Sequence, residues 1–208
     1  MTAESDCRWL DVCPDYYGRL QVFECAVPKD GAFVGYRTRF DGYTVRHSRL
    51  YPDWQLEVER FIRGFRKVPN PGSQWARICV DKDHNGNERI CSFVFFGFQK
   101  TTEAEGSGFY VIGYIARALG AKGCHFGDFT LRYALNVCKE DSLKRGIANP
   151  LIFALIDHRN KESLALFERN GFLDDGPDED EPDRYRRFVR FGFGGQEAPV
   201  PIPECMIA

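Results

Sequence analysis

Leu151 to Phe172, LIFALIDHRNKESLALFERNGF, joins an apolar run to a capped amphipathic segment through one polar junction. Leu151 to Ile156 is too short for a helix core and ends in Asp157, His158, Arg159 and Asn160, so it reads as a buried parallel strand. Asn160 suits the cap of a helix whose third residue is Ser163. Leu164 and Phe167 lie three apart on one face of that helix, and Asn170-Gly171 supplies the stop. A strand feeding a capped helix presents backbone N–H groups and polar side chains at the strand's carboxyl end, the usual binding edge of an open α/β sheet.

Working outward, Phe109 to Leu119 reads as a strand leading into the glycine-containing loop GAKGCHFGD. Phe129, Thr130, Tyr133, Ala134, Val137 and Cys138 then return at helical spacing. Trp75 to Val80 and Arg89 to Phe98 are strand-like runs around DKDHNGNE, whose Asn85-Gly86 dipeptide is a hairpin signal. Trp54, Val58, Phe61, Ile62 and Phe65 predict an amphipathic helix between Pro52-Asp53 and Pro69. Residues 7 to 50 read as short strands, including Leu20 to Val27 and Tyr43 to Leu50. Toward the carboxyl end, Asp174 to Asp183 reads as an acidic loop, Arg184 to Phe193 as a last strand and GGQEAPVPIPECMIA as a Pro-rich tail. Two parallel strands joined by a helix, attached to antiparallel strands, make a mixed α/β sheet.

The 208 residues are 43% hydrophobic and 14% aromatic, enough for one well-packed domain with a small extension. A net charge of −2 and a pI of 6.1 provide no global basic field for nucleic acid or an anionic membrane. The amino-terminal residues lack a leader pattern and no apolar run is long enough to span a bilayer, so a soluble, cytoplasmic protein is expected. The 8 cysteines include no C-x-x-C pair, which argues against a zinc ribbon or redox dithiol and for reduced, buried thiols. DKDHNGNERICS begins like a calcium loop with Asp81, Asp83, Asn85 and Gly86, but Ser92 stands where a bidentate Glu is needed. No metal is expected.

The order strand, glycine loop, helix, strand, followed by N-x-x-S-x-x-x-F-x-x-x-G-F, resembles the GCN5-related N-acetyltransferase (GNAT) superfamily. The resemblance covers about Tyr43 to Phe193 and is strongest from Phe109 to Phe172. It implies an α/β fold with a mostly antiparallel central sheet, one parallel strand pair and flanking helices. Residues 1–42 would form an amino-terminal β-rich extension, 43–193 the acyl-CoA-binding domain and 194–208 the tail. The superfamily's loop pattern is Q/R-x-x-G-x-G/A. Lys122 stands at its first position, His125 at its middle glycine and Gly127 at its last small residue, while Gly123 adds a glycine within the loop. Backbone amides at a helix start with a favourable dipole suit a pyrophosphate, and Asp128 lies in that first turn.

The resemblance further implies acetyl-CoA as co-substrate, with the pantetheine arm along the strand edge near Ile115 to Arg117 and in contact with Asn160. Phe167 stands where many members carry the tyrosine that protonates the departing thiolate. Three alternatives follow. Tyr185 or Ser163 supplies the proton, the thiolate leaves unaided, or the protein binds CoA with little turnover. Asp157 and His158 are candidates for deprotonating an amine, directly or through water, and a bulged strand edge near Arg117 is a candidate oxyanion donor. The acceptor implied is a small cationic amine or a protein amine, which the acidic run 174–183 would concentrate. Two rival functions are a degenerate acyl-CoA-binding module and a toxin that acetylates charged transfer RNA. The latter calls for a basic groove, for which Arg184, Arg186, Arg187 and Arg190 are candidates although the acidic run opposes nucleic acid. Residues 1 to 42 are candidates for a homodimer surface or a roof over the acceptor.

Overall fold

The computed structural model describes residues 7–26, 37–40, 43–46, 52–82, 85–101, 108–121 and 125–193. In chain order the elements are β1 (Arg8–Asp11), α1 (Pro14–Gln21), β2 (Arg37–Phe40), β3 (Tyr43–Arg46), α2 (Asp53–Gly64), β4 (Gln74–Lys82) and β5 (Glu88–Lys100). They continue with β6 (Gly108–Arg117), a 3-10 turn (Leu119–Ala121), α3 (Phe126–Lys144), β7 (Leu151–Asp157), α4 (Lys161–Arg169), β8 (Leu173–Pro177) and β9 (Tyr185–Phe191). Seven strands form one sheet in the order β1-β4-β5-β6-β7-β9-β8, while β2 and β3 pair separately. Every neighbouring pair in the large sheet is antiparallel except β6 and β7, which α3 joins as a crossover. The predicted hairpin around Asn85-Gly86 and the predicted helices α2, α3 and α4 are all present.

Alternation along β5 divides the core between the two faces of the sheet. Val94, Phe96 and Phe98 pack with Leu131, Ala134, Leu135 and Cys138 of α3 and with Leu166 and Phe167 of α4. On the opposite face, Phe93 joins Ala76, Ile78 and Val80 against Leu20 of α1 and Ile62 of α2. Burying each such Leu, Ile or Phe stabilises the fold by about 1.5–3 kcal/mol.

Three expectations are corrected. Leu20 to Val27 was expected to be a strand, but Pro14 at the first position and Asp15 in the first turn open helix α1 instead. Leu20, Phe23 and Ala26 are buried while Val22 is 72% exposed, so the spacing that matters is three rather than two. The backbone N–H groups of Cys25 and Ala26 need no strand ladder, because they donate to the buried Glu59 carboxylate of α2 at 3.0 and 3.1 Å. Second, the acidic run begins as β8, since Leu173 pairs with Val189 and Asp174 accepts from Arg186 Nε at 2.7 Å on the neighbouring strand. Third, β7 is buried on one face only. Ile152, Ala154 and Ile156 enter the core, whereas Leu155 is 41% exposed. The expected strand end at 47–50, the loop residues Lys122 and Gly123 and the tail 194–208 lie outside the described residues. Among the described residues no helix is long and apolar enough to cross a membrane.

Candidate functional site

Strands β6 and β7 pair only at Phe109↔Leu151, Tyr110↔Ile152 and Val111↔Phe153. Past that point β6 continues to Arg117 and β7 to Asp157 without facing one another. A β-bulge marks the parting: Phe95 pairs with Tyr114 and Phe96 with Ile112, leaving Gly113 as the extra residue. Bulges bend a strand and add twist, so β6 turns where its parallel ladder ends. The bulge is therefore at Gly113 and not near Arg117, where the sequence suggested it. A side chain at this position would press on Phe95, since an added Cβ would lie 3.3 Å from its ring.

The wedge between the strands opens into a cleft in two parts. An outer part of about 670 Å³ lies between Ile115–Arg117 of β6 and the amino-terminal ends of α3 and α4. An inner part of about 300 Å³ lies between the parted strands beneath α2. Trp54, Val58, Ile115, Asn160 and Ser163 line both, so the two are continuous. The combined size suits a sizeable organic ligand.

At the outer wall, His125 precedes α3 with φ 51° and ψ 21°, the left-handed conformation that glycine adopts without steric cost. Amides at the start of a helix have no intrahelical acceptor, and those of Phe126, Gly127 and Asp128 belong to residues lining the cleft. Asp128 does not face the cleft as a free anion. It accepts from Arg169 Nε and Nη2 at 2.7 Å each and from Asn170 Nδ2 at 2.9 Å. The Arg169 hydrogen bonds hold its carboxyl below the usual value against the opposing effect of burial. Gly127 faces Leu166 of α4, and a Cβ there would meet that side chain at an ordinary contact distance of 3.5 Å.

The inner wall comes from the junction that opened the sequence reading. Asn160 Oδ1 accepts from the Ser163 amide at 3.2 Å, which is the expected cap. Phe167 lines the inner part and is 2% exposed, held edge-on against Phe172 and Phe188. Asp157 closes β7 beside Tyr185. Burial would raise its carboxyl, but hydrogen bonds from the Arg159 guanidinium at 2.9 and 2.7 Å and from the Arg159 amide at 3.0 Å outweigh it, so the carboxyl sits below the usual value. Tyr185 lines the same space, and burial followed by the nearby Glu57 charge raises its phenol above the ordinary value. His158 does not line either part. It is exposed, its Nδ1 lies 3.2 Å from the Arg184 carbonyl, and it borders a separate hollow with Lys161 and Asp183.

Among the lining residues that sequence reasoning missed are Trp54, Glu57 and Tyr114. Glu57 contacts Arg184 and is 46% exposed at its side chain. Tyr114 stacks on Phe61 with ring centroids 3.6 Å apart, and burial raises its phenol. The signal available was α2 itself: Glu57 follows Trp54 by three residues and precedes Val58, an acid on the border of the apolar stripe. The arginines offered for a basic groove are engaged. Arg186 pairs with Asp174, Arg187 with Asp175 and Glu179, Arg184 with Glu57 and Glu181, and Arg190 donates to the Asn170 and Gly192 carbonyls. Within the acidic run, Asp174, Asp175, Glu179 and Glu181 are thereby paired. Among the described residues no cluster of three or more His, Cys, Asp or Glu could hold a metal.

No family model and no curated protein matches this sequence. Solved structures do match its fold. AtaTR bound with AcCoA is 14% identical with TM-score 0.56 and covers 89% of this chain and 93% of its own. Nourseothricin acetyltransferase is 15% identical with TM-score 0.52 over 89% and 98%. A bacterial toxin is 12% identical with TM-score 0.57 over 89% and 90%. The chain has the GNAT fold.

Proposed function

We propose that this protein is an N-acyltransferase that moves an acyl group from acyl-CoA, with acetyl-CoA as the reference donor, to an amine. The observation that carries the reading is the parting of β6 and β7 at Gly113, with the α3 amino terminus and the Asn160 cap converging on the opening. In this reading the amides of Phe126 and Gly127 bind pyrophosphate, and the freed β6 edge from Ile115 to Arg117 and Asn160 hold the pantetheine arm. Pairing of Asp128 with Arg169 supports this placement, because it relieves the repulsion a free carboxylate would impose on a phosphate.

The amine enters beneath α2. Glu57 and Asp157 attract its ammonium form, and the exposed Glu57 carboxylate takes the proton before attack. Asp157, held by Arg159, fixes the charge of the mouth instead of exchanging protons. Amides at the Gly113 bulge stabilise the oxyanion. Tyr185, whose raised phenol remains protonated, donates to the thiolate in place of the tyrosine that Phe167 replaces. The acceptor reading favoured is a cationic small or protein amine. Acylation of charged transfer RNA has less support, because the β9 arginines are already paired. Phe167 is the one observation favouring a degenerate acyl-CoA-binding module.

Isothermal titration with acetyl-CoA is expected to give saturable binding, and thiol release is expected with at least one member of an amine panel. Absence of binding at millimolar ligand would remove the reading. Tight binding without thiol release under any amine would support the degenerate module.

A further inference from the structure

We infer that the inner cleft accepts a donor with an acyl chain longer than acetyl, a straight chain of about four to six carbons by cavity volume. The inference rests on the acyl-CoA reading and deepens it. The inner part measures about 300 Å³. A water occupies about 30 Å³ of liquid, so a space of this size holds the thioester sulfur and the amine beside Asp157 and Tyr185, and the three heavy atoms of an acetyl group leave room toward Val111 and Phe153.

Strand register orders the lining. At the narrow end, where β6 and β7 are still paired or have just parted, stand Val111, Ile112, Phe153 and Ala154. At the open end stand Asp157 and Tyr185, opposite each other on β7 and β9. Charge and hydroxyl groups therefore gather where an amine enters, while the side chains of the narrow end are hydrocarbon.

Phe167 completes that apolar wall. A buried phenol at this position would need a hydrogen-bond partner or pay for lacking one. A phenyl does not, and its edge contacts with Phe172 and Phe188 fix it as a rigid side. The substitution that removes the usual proton donor also makes the wall fit for methylene groups. The step remains an aminolysis. The amine nitrogen bonds to the acyl carbon as the carbon–sulfur bond breaks, the amine's proton is released, and the CoA thiolate takes up a proton.

The test is isothermal titration of the purified full chain with CoA, acetyl-CoA, butyryl-CoA and hexanoyl-CoA. Affinity is expected to rise about fourfold for each methylene added from acetyl to butyryl. Val111→Phe, checked by far-UV circular dichroism and thermal melting, is expected to reverse the order so that acetyl-CoA binds more tightly than butyryl-CoA. Affinity that is flat or falling from acetyl to butyryl, with CoA itself bound, would overturn this inference and leave the acyl-CoA reading standing. An unchanged order in a folded Val111→Phe protein would overturn the placement of the chain. No binding of any member would remove both readings together.

Discussion

Asp157 and Tyr185 stand opposite one another on β7 and β9, yet their surroundings suit them to different tasks. Tyr185 is a phenol kept protonated by burial and the Glu57 charge. Tyr185→Phe is expected to lower kcat about 10²-fold while leaving the Kd for acetyl-CoA unchanged, measured by thiol release and titration calorimetry. Asp157 is a carboxylate kept ionised by Arg159. Because its folded value lies below the unfolded one, its stabilisation is complete above the usual carboxylate range and drains away as pH falls through the folded value. Arg159→Ala is expected to cost about 1–3 kcal/mol in urea unfolding at neutral pH, with the difference shrinking in acid below the usual Asp range. An equal cost at both ends of the pH scale would mean that the loss comes from the Arg159 contact with the Trp54 ring and not from the ion pair. The helix cap at Asn160 could be read from the sequence because it is a local pattern. The Arg159 clamp could not, since a guanidinium two residues away has many possible partners.

At the scale of elements, the start of α3 places a histidine where a glycine would be free of strain. His125 adopts the left-handed backbone that a glycine would take freely, and such strain in a non-glycine residue costs about 1–2 kcal/mol. His125→Gly is expected to raise stability by about 0.5–1 kcal/mol, after the entropy cost of glycine is subtracted, with acetyl-CoA affinity retained. Thermal melting with and without ligand checks both; a lowered melting temperature would mean that the imidazole makes a contact worth more than the strain. α1 and β8 carry the opposite lesson. Their sequences read as strand and as loop, and tertiary partners decided otherwise. Glu59 of α2 satisfies the amides of Cys25 and Ala26, and the arginines of β9 neutralise the acids of β8. Local pattern fails where the deciding partner lies on another element.

At the scale of the whole molecule, electrostatics and topology separate. The net charge is −2, and Arg184 and the three β9 arginines are engaged by acids or backbone carbonyls. Transfer RNA is therefore expected to bind more weakly than about 10⁻⁵ M at 150 mM salt, as non-specific contacts do. Filter binding across a salt series checks this, and a tighter complex with a steep salt slope would reveal a cationic surface and revive the transfer RNA acceptor. The sequence by itself determined the succession of elements, the parallel β6–α3–β7 unit and the polar junction after β7, because hydrophobic period, glycine position and capping residue are properties of neighbours along the chain. Only the tertiary structure decided that β6 bends at Gly113, that α2 brings Trp54 and Glu57 over the opening, that His158 lies outside it and that Asp174, Asp175, Glu179 and Glu181 of the acidic run are paired. Each of these depends on residues far apart in sequence meeting across the sheet, where register and packing, rather than local preference, set the distances.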